Sequence, residues 1–137
     1  MKISQEADYA IRVVLYLSQL GYGQIAAAKT IAEQEAISLR FLLKLLRKLI
    51  KADLIQSYRG INGGYALAKP PEKINLKEVI EAIDGPLGLN RCLFEPEFCN
   101  KHYAARCKAH KVLYNVNQKL VAELEGVNFL SILKQKV

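Results

Sequence analysis

The sequence predicts a mainly α-helical fold with a small β-hairpin, arranged as a winged helix-turn-helix followed by a long C-terminal helix. Three observations predict it. Apolar residues recur at three- and four-residue steps through most of the chain. The period turns extended in one place only, on either side of a Gly-rich turn at 59–64. Three helices come first and the hairpin follows them, which is the order of a winged helix. At 137 residues, 51% hydrophobic and 24% charged, the chain suits one compact unit and is too apolar to be disordered. Within that unit, residues 1–72 read as the winged helix-turn-helix, and 73–137 as a cysteine loop with the closing helices.

Ser4 is placed to cap the first helix, along which Ile3, Ala7, Ala10, Ile11, Val14, Leu15 and Ser18 recur on one face. Gly21 and Gly23 end it. A short helix over Ala27–Gln34 and a turn at Glu35–Ile37 lead to Ser38, a second cap, and to the helix Leu39–Ala52. Leu42, Leu45, Leu46 and Leu49 form its apolar stripe, leaving Arg40, Lys44, Arg47, Lys48 and Lys51 outside. Strands are expected over Leu54–Tyr58 and Tyr65–Ala68. Asn62-Gly63 is expected to make the hairpin turn, because both residues tolerate positive φ. Pro70-Pro71 stops the second strand. Asn75 and Glu78 have the spacing of a capping box opening a helix to Ile83. Beyond the cysteine segment at 88–107, Leu113, Val116, Leu120 and Leu124 mark a long helix stopped by Gly126. Asn128 is placed to cap a last helix containing Phe129, Ile132 and Leu133.

Twenty Lys and Arg against thirteen Asp and Glu give a formal charge of +7 and an isoelectric point near 9.4, which calls for a polyanionic partner. Six basic residues and a single acid, Asp53, lie between Arg40 and Arg59. In a winged helix the second helix of the turn motif enters the major groove and the hairpin lies along a neighbouring groove, so double-stranded DNA is the expected partner. The expected DNA-binding residues are Ser38, Arg40, Lys44, Arg47 and Lys48 on the helix, with Arg59, Gly60 and Asn62 on the wing. A membrane surface fits less well, because the opposite face of the helix carries core leucines rather than inserting aromatics. No apolar run approaches the roughly 20 residues needed to span a bilayer, and no signal-peptide core is found, so a cytoplasmic protein is expected. No dinucleotide fingerprint, Cys-x-x-Cys pair or paired acid–base constellation points to an enzyme.

The three cysteines, Cys92, Cys99 and Cys107, fall within one short segment in the pattern Cys-x6-Cys-x7-Cys. An odd number cannot close into an intramolecular disulfide framework. Thiolates favour iron–sulfur clusters or zinc. The gaps exceed the knuckle spacing of structural zinc sites and suit a loop wrapping a larger cofactor. Three thiolates are one ligand short of an all-cysteine cluster, so the remaining ligand is a histidine, a carboxylate or a group from another subunit. His110, three residues after Cys107, has the right helical spacing to join it; His102 lies between the last two cysteines. A zinc-binding repressor, a cofactor-free DNA-binding repressor with three idle thiols controlled by a protein partner, or an electron carrier using the cysteines directly remain the alternatives.

The opening Ile3-Ser4-Gln5-Glu6-Ala7-Asp8-Tyr9-Ala10-Ile11, the segment Ile37-Ser38-Leu39, the wing Arg59-Gly60-Ile61-Asn62-Gly63-Gly64-Tyr65 and the ordered cysteines resemble the Rrf2 family of bacterial transcription regulators over nearly the whole chain. The resemblance implies a homodimer built on a dimerisation helix near 108–125, with two winged helices on a palindromic operator. It also implies a 2Fe–2S or 4Fe–4S cluster on Cys92, Cys99 and Cys107 that senses iron, redox state or nitric oxide. One branch of the family completes the ligands with a histidine three residues past the third cysteine, here His110. Another uses an aspartate of the partner's first helix, here the partner subunit's Asp8. A branch without the cysteine triad fits poorly. The sequence departs from the family at Ala36, where Gly is frequent, and in its cysteine gaps.

Overall fold

The structure is a computed structural model that describes residues 2–102 and 104–136. Helix α1 (Gln5–Leu20) is its central element, started by the Ser4 hydroxyl, which accepts from the Ala7 amide at 3.0 Å. The Asp84 carboxylate, at the end of α4 (Leu76–Asp84), accepts from the Ser4 amide at 3.0 Å and from its hydroxyl, tying the two helix ends together. The buried face of α1 consists of Ala7, Ala10, Val13, Val14, Leu17 and Ser18. Ile3 lies outside the helix and is exposed, while Ile11 and Leu15 are only half-buried. The face is therefore turned towards Val13 and Leu17, because α1 is packed on several sides, by the two helices that follow it, by α4, by the last helix and by the hairpin.

Helices α2 (Ala28–Glu35) and α3 (Leu39–Lys51) form the turn motif. Between them Ala36 takes the left-handed conformation at φ 54°, and its amide and that of Ile37 both return to Ala32 O. Arg12 of α1 secures this corner. Its guanidinium donates to the Glu35 carbonyl, lies 3.5 Å from Glu35 Oε1, and covers the Tyr9 ring at 5.0 Å. Tyr9 meets Phe41 of α3 edge-on, with ring centres 5.5 Å apart. The Ser38 hydroxyl caps α3 by accepting from Phe41 N. Leu42, Leu45, Leu46 and Leu49 are buried. Each contributes about 1.5–3 kcal/mol of transfer free energy.

Strands β1 (Ile55–Tyr58) and β2 (Gly64–Leu67) pair antiparallel, with Ile55 opposite Leu67 and Tyr58 opposite Gly64. Ala26 adds a third rung by exchanging two hydrogen bonds with Tyr65, at 2.9 and 2.8 Å, which anchors the wing beside the turn motif. The tip differs from expectation. Positive φ falls on Gly60 (105°), not on Asn62 or Gly63. A four-residue turn closed by Gly63 N donating to Gly60 O puts Ile61 and Asn62 at its apex. Gly63 is needed for a different reason: a Cβ there would sit 2.3 Å from Tyr58 O.

The capping box at Asn75 and Glu78 opens α4 (Leu76–Asp84). After the cysteine segment come α5 (Lys108–Glu125) and α6 (Phe129–Leu133), the latter capped by Asn128 accepting from Ser131 N. Phe129 N donates to Ile74 O, and Leu76 N to Val127 O, so α4 and α6 start side by side. Phe129, Ile74 and Val79 belong to the same core as the α3 leucines. Ala7, Ile80 and Leu87 form a smaller cluster on which Val121 and Leu124 of α5 pack. The core thus runs past residue 72 without a break. Among the described residues, no helix is long and apolar enough to cross a membrane.

Candidate nucleic-acid interface and thiol cavity

Opposite its leucines, α3 exposes Arg40, Lys44, Arg47 and Lys51, spaced four, three and four residues apart and hence on one stripe. Ser38 is exposed at the N-cap. Lys48 lies at the flank of this stripe, four residues from Lys44 and three from Lys51. It lies about 80° around the helix from Arg40 at 3.6 residues per turn, and its ammonium is held by the Glu6 carboxylate of α1 at 3.0 Å. At the wing, Arg59, Gly60, Ile61 and Asn62 are all exposed. The arrangement presents a cationic ridge and an exposed hairpin tip carrying Arg59, features that suit phosphate neutralisation and groove insertion.

The second candidate site is on the far side of α4. Three 3-10 turns, Arg91–Leu93, Pro96–Phe98 and Ala104–Arg106, carry the cysteine segment from α4 to α5. Cys92 lies within the first turn, Cys99 ends the second, and Cys107 is the N-cap of α5, its sulfur accepting from His110 N at 3.4 Å. All three are half-buried thiols. His110, in the first turn of α5, brings Nδ1 to 3.1 Å from Cys92 Sγ. One cavity of about 320 Å³ is lined by Cys92, Cys99, Cys107 and His110, together with Arg91, Phe98 and Leu113. Asp8 lies apart, exposed on the first turn of α1, and His102 is exposed at φ 49°. Among the described residues no three ligating side chains converge closely enough for a single metal ion.

Sequence reasoning missed what holds this loop in place. Asn117 is buried on α5, where its amide donates to Leu87 O at 3.1 Å and accepts from Leu89 N at 3.0 Å. The only sequence signal is a polar residue among Leu113, Leu120, Val121 and Leu124. Gly88 is the other support: the Phe94 ring lies so close to its backbone that a Cβ would overlap it.

With this geometry in view, comparison with known proteins decides the family. The chain matches the Rrf2 family, described as iron-dependent transcriptional regulators, over residues 3–135. This chain belongs to the Rrf2 family. A Neisseria meningitidis serogroup A protein, named as an HTH-type transcriptional regulator, is 32% identical over 136 residues, covering 99% of this chain and 90% of its own length. The solved structure of T. potens IscR superposes with a TM-score of 0.76 at 25% identity, over 98% of this chain and 87% of that one. The oxidised form of Staphylococcus aureus CymR gives 0.75 at 25% identity, over 100% and 99%. CymR of B. subtilis, titled the global cysteine regulator, gives 0.72 at 26% identity, over 96% and 95%. The protein is accordingly an Rrf2-family DNA-binding transcriptional regulator, not an enzyme. Because the Rrf2 fold matches IscR and CymR alike, the thiol and imidazole donors, not the fold, bear on a cofactor.

Proposed function

We propose that this regulator is a homodimer acting in the cytoplasm on a palindromic operator, and that Cys92, Cys99, Cys107 and His110 hold an iron–sulfur cluster. The observation that carries the cofactor reading is the single cavity lined by three thiols and the His110 imidazole. Soft sulfur donors with one nitrogen match the ligand preference of iron–sulfur centres. The six- and seven-residue gaps between the cysteines exceed the knuckle spacing of structural zinc sites. When bound, the cluster supplies a redox-active, oxygen- and nitric-oxide-sensitive centre whose net charge depends on its state. His110 is favoured over the partner subunit's Asp8 as the fourth ligand, because it already faces Cys92.

The protein's own residues connect this cavity to the reading head. Asn117 fixes the start of the cysteine loop to α5. Val121 and Leu124 fix α5 to the cluster containing Ala7 of α1. Arg12 and Tyr9 fix α1 to the corner of the turn motif. A tenfold change in operator occupancy takes only about 1.4 kcal/mol along this route. The dimer reading is supported by α5 itself: Asn117 is its one buried residue, while Val112 and Val116 are 59% and 48% exposed. An unpartnered apolar face on so long a helix fits burial against a second copy.

Oxygen-free purification, with reconstitution by iron and sulfide, tests the cofactor. Brown protein containing iron and acid-labile sulfide in proportion to the chain is expected. Colourless protein holding stoichiometric zinc overturns the reading.

A further inference from the structure

We infer that Arg91 is a positioning residue for the thiol cavity, clamping the turn that carries Cys92 to the turn that carries Cys99. The central carbon of the guanidinium lies over the Phe98 ring, 3.2 Å from its centre, and its Nε donates to Glu95 Oε2 at 2.7 Å. Arg91 sits immediately before Cys92, and Phe98 immediately before Cys99, so the stack joins the two residues adjacent to two of the sulfurs. Both partners line the cavity. Cys107 is held differently, as the N-cap of α5 with His110 N on its sulfur, so the clamp acts on two of the three thiols.

The chemistry suits this role better than simple surface pairing. An exposed ion pair alone contributes little, and the Arg91 and Glu95 side chains are 62% and 45% exposed. A planar guanidinium can pair with a carboxylate through its edge while stacking on an aromatic face, and this fixes the relative angle of both partners. The two 3-10 turns pack on each other and share backbone hydrogen bonds through Glu95, and among the described residues no side chain from 88 to 102 is buried, so the stack adds the side-chain contact that sets how Cys92 and Cys99 face the cavity. The cluster-related consequence rests on the cofactor reading above, whereas the control of thiol geometry does not.

The test compares wild type with Arg91→Ala, Arg91→Lys and Phe98→Leu in the full-length, reduced, metal-free protein. Alkylation rates of each cysteine by iodoacetamide are read by peptide mass spectrometry. Removing the clamp is expected to raise labelling of Cys92 and Cys99 by about fivefold, the scale of losing one exposed cation–π contact and one ion pair, with Cys107 unchanged. Arg91→Lys keeps a charge near Glu95 but not the planar stack, and is expected to fall between. Equal rates at Cys92 and Cys99 in wild type and Arg91→Ala overturn the inference. A uniform rise at all three cysteines also overturns it, since that reports general loosening of the loop. In reconstituted protein, Arg91→Ala is expected to lose visible absorbance to a chelator severalfold faster. If wild type takes up no iron while the labelling difference persists, the cofactor reading fails and the clamp stands.

Discussion

His110 Nδ1 lies 3.1 Å from Cys92 Sγ, although 18 residues separate them in the chain. The contact follows from two local decisions. Cys107 caps α5 and so puts His110 in its first turn, and a 3-10 turn returns Cys92 to the same place. A candidate fourth donor thus stands beside Cys92 within one chain. His110→Ala should lose or shift the visible absorption of reconstituted protein, and Asp8→Ala should leave it unchanged. The opposite pattern would assign the ligand to the partner subunit's Asp8 instead.

Asn117 should matter more for stability than its lone polar character suggests. Asn117→Leu removes the donor to Leu87 O and the acceptor of Leu89 N, with no replacement from the side chain. Each orphaned backbone group costs about 1–3 kcal/mol when buried, so a loss of about 2–4 kcal/mol is expected in urea unfolding. Asn117→Asp keeps the acceptor but sets a buried charge against the Leu87 carbonyl, and should cost at least as much at neutral pH. An unchanged midpoint in Asn117→Leu would show that water replaces both bonds without penalty.

Ala36 is strained by its position. Its φ of 54° and ψ of 45° are left-handed, a region that costs a non-glycine residue about 1–2 kcal/mol. Glycine relieves this but gains about 0.4–1 kcal/mol of unfolded-state entropy to lose. Ala36→Gly should therefore stabilise by about 0.5–1 kcal/mol, because the exposed methyl group buries little. DNA affinity should be unchanged, since Arg12 on Glu35 O still fixes the corner. A destabilised variant would mean that the unfolded-state term dominates.

The sequence revealed most where the chemistry is local. Ser4, Ser38, Asn75 and Asn128 each cap the helix assigned to them, because a side-chain oxygen reaching an amide three residues on is decided within one turn. The leucine stripe of α3 was legible for the same reason. The wing tip was less so: Asn62-Gly63 suits a two-residue turn, but the ladder ends at Tyr58 and Gly64, leaving a longer loop that moves positive φ to Gly60. Contacts between distant residues left no trace. Nothing in periodicity reveals that Glu6 draws Lys48 away from the basic stripe, or that Asn117 reaches Leu87 across 30 residues. The thiol cavity lies between these extremes: cysteine clustering marked the segment, and packing brought the donors to one wall.

The ion pair between Lys48 and Glu6 leads to a separation within the basic helix. Each cation that neutralises a phosphate contributes about 0.9 to the slope of log affinity against log salt. Lys44→Ala and Arg59→Ala should each weaken binding to a mixed-sequence duplex and lower that slope by about one. Lys48 already has a carboxylate partner at 3.0 Å, half-buried between α1 and α3, so Lys48→Ala should leave the slope within error. Its cost should appear in stability instead, because Glu6 keeps a charge that has lost its partner. Glu6→Gln frees the ammonium and should do the reverse, leaving the slope equal or steeper. Titrations at four salt concentrations distinguish these outcomes. A Lys48→Ala slope reduced as much as that of Lys44→Ala would show that DNA outcompetes Glu6 for this side chain.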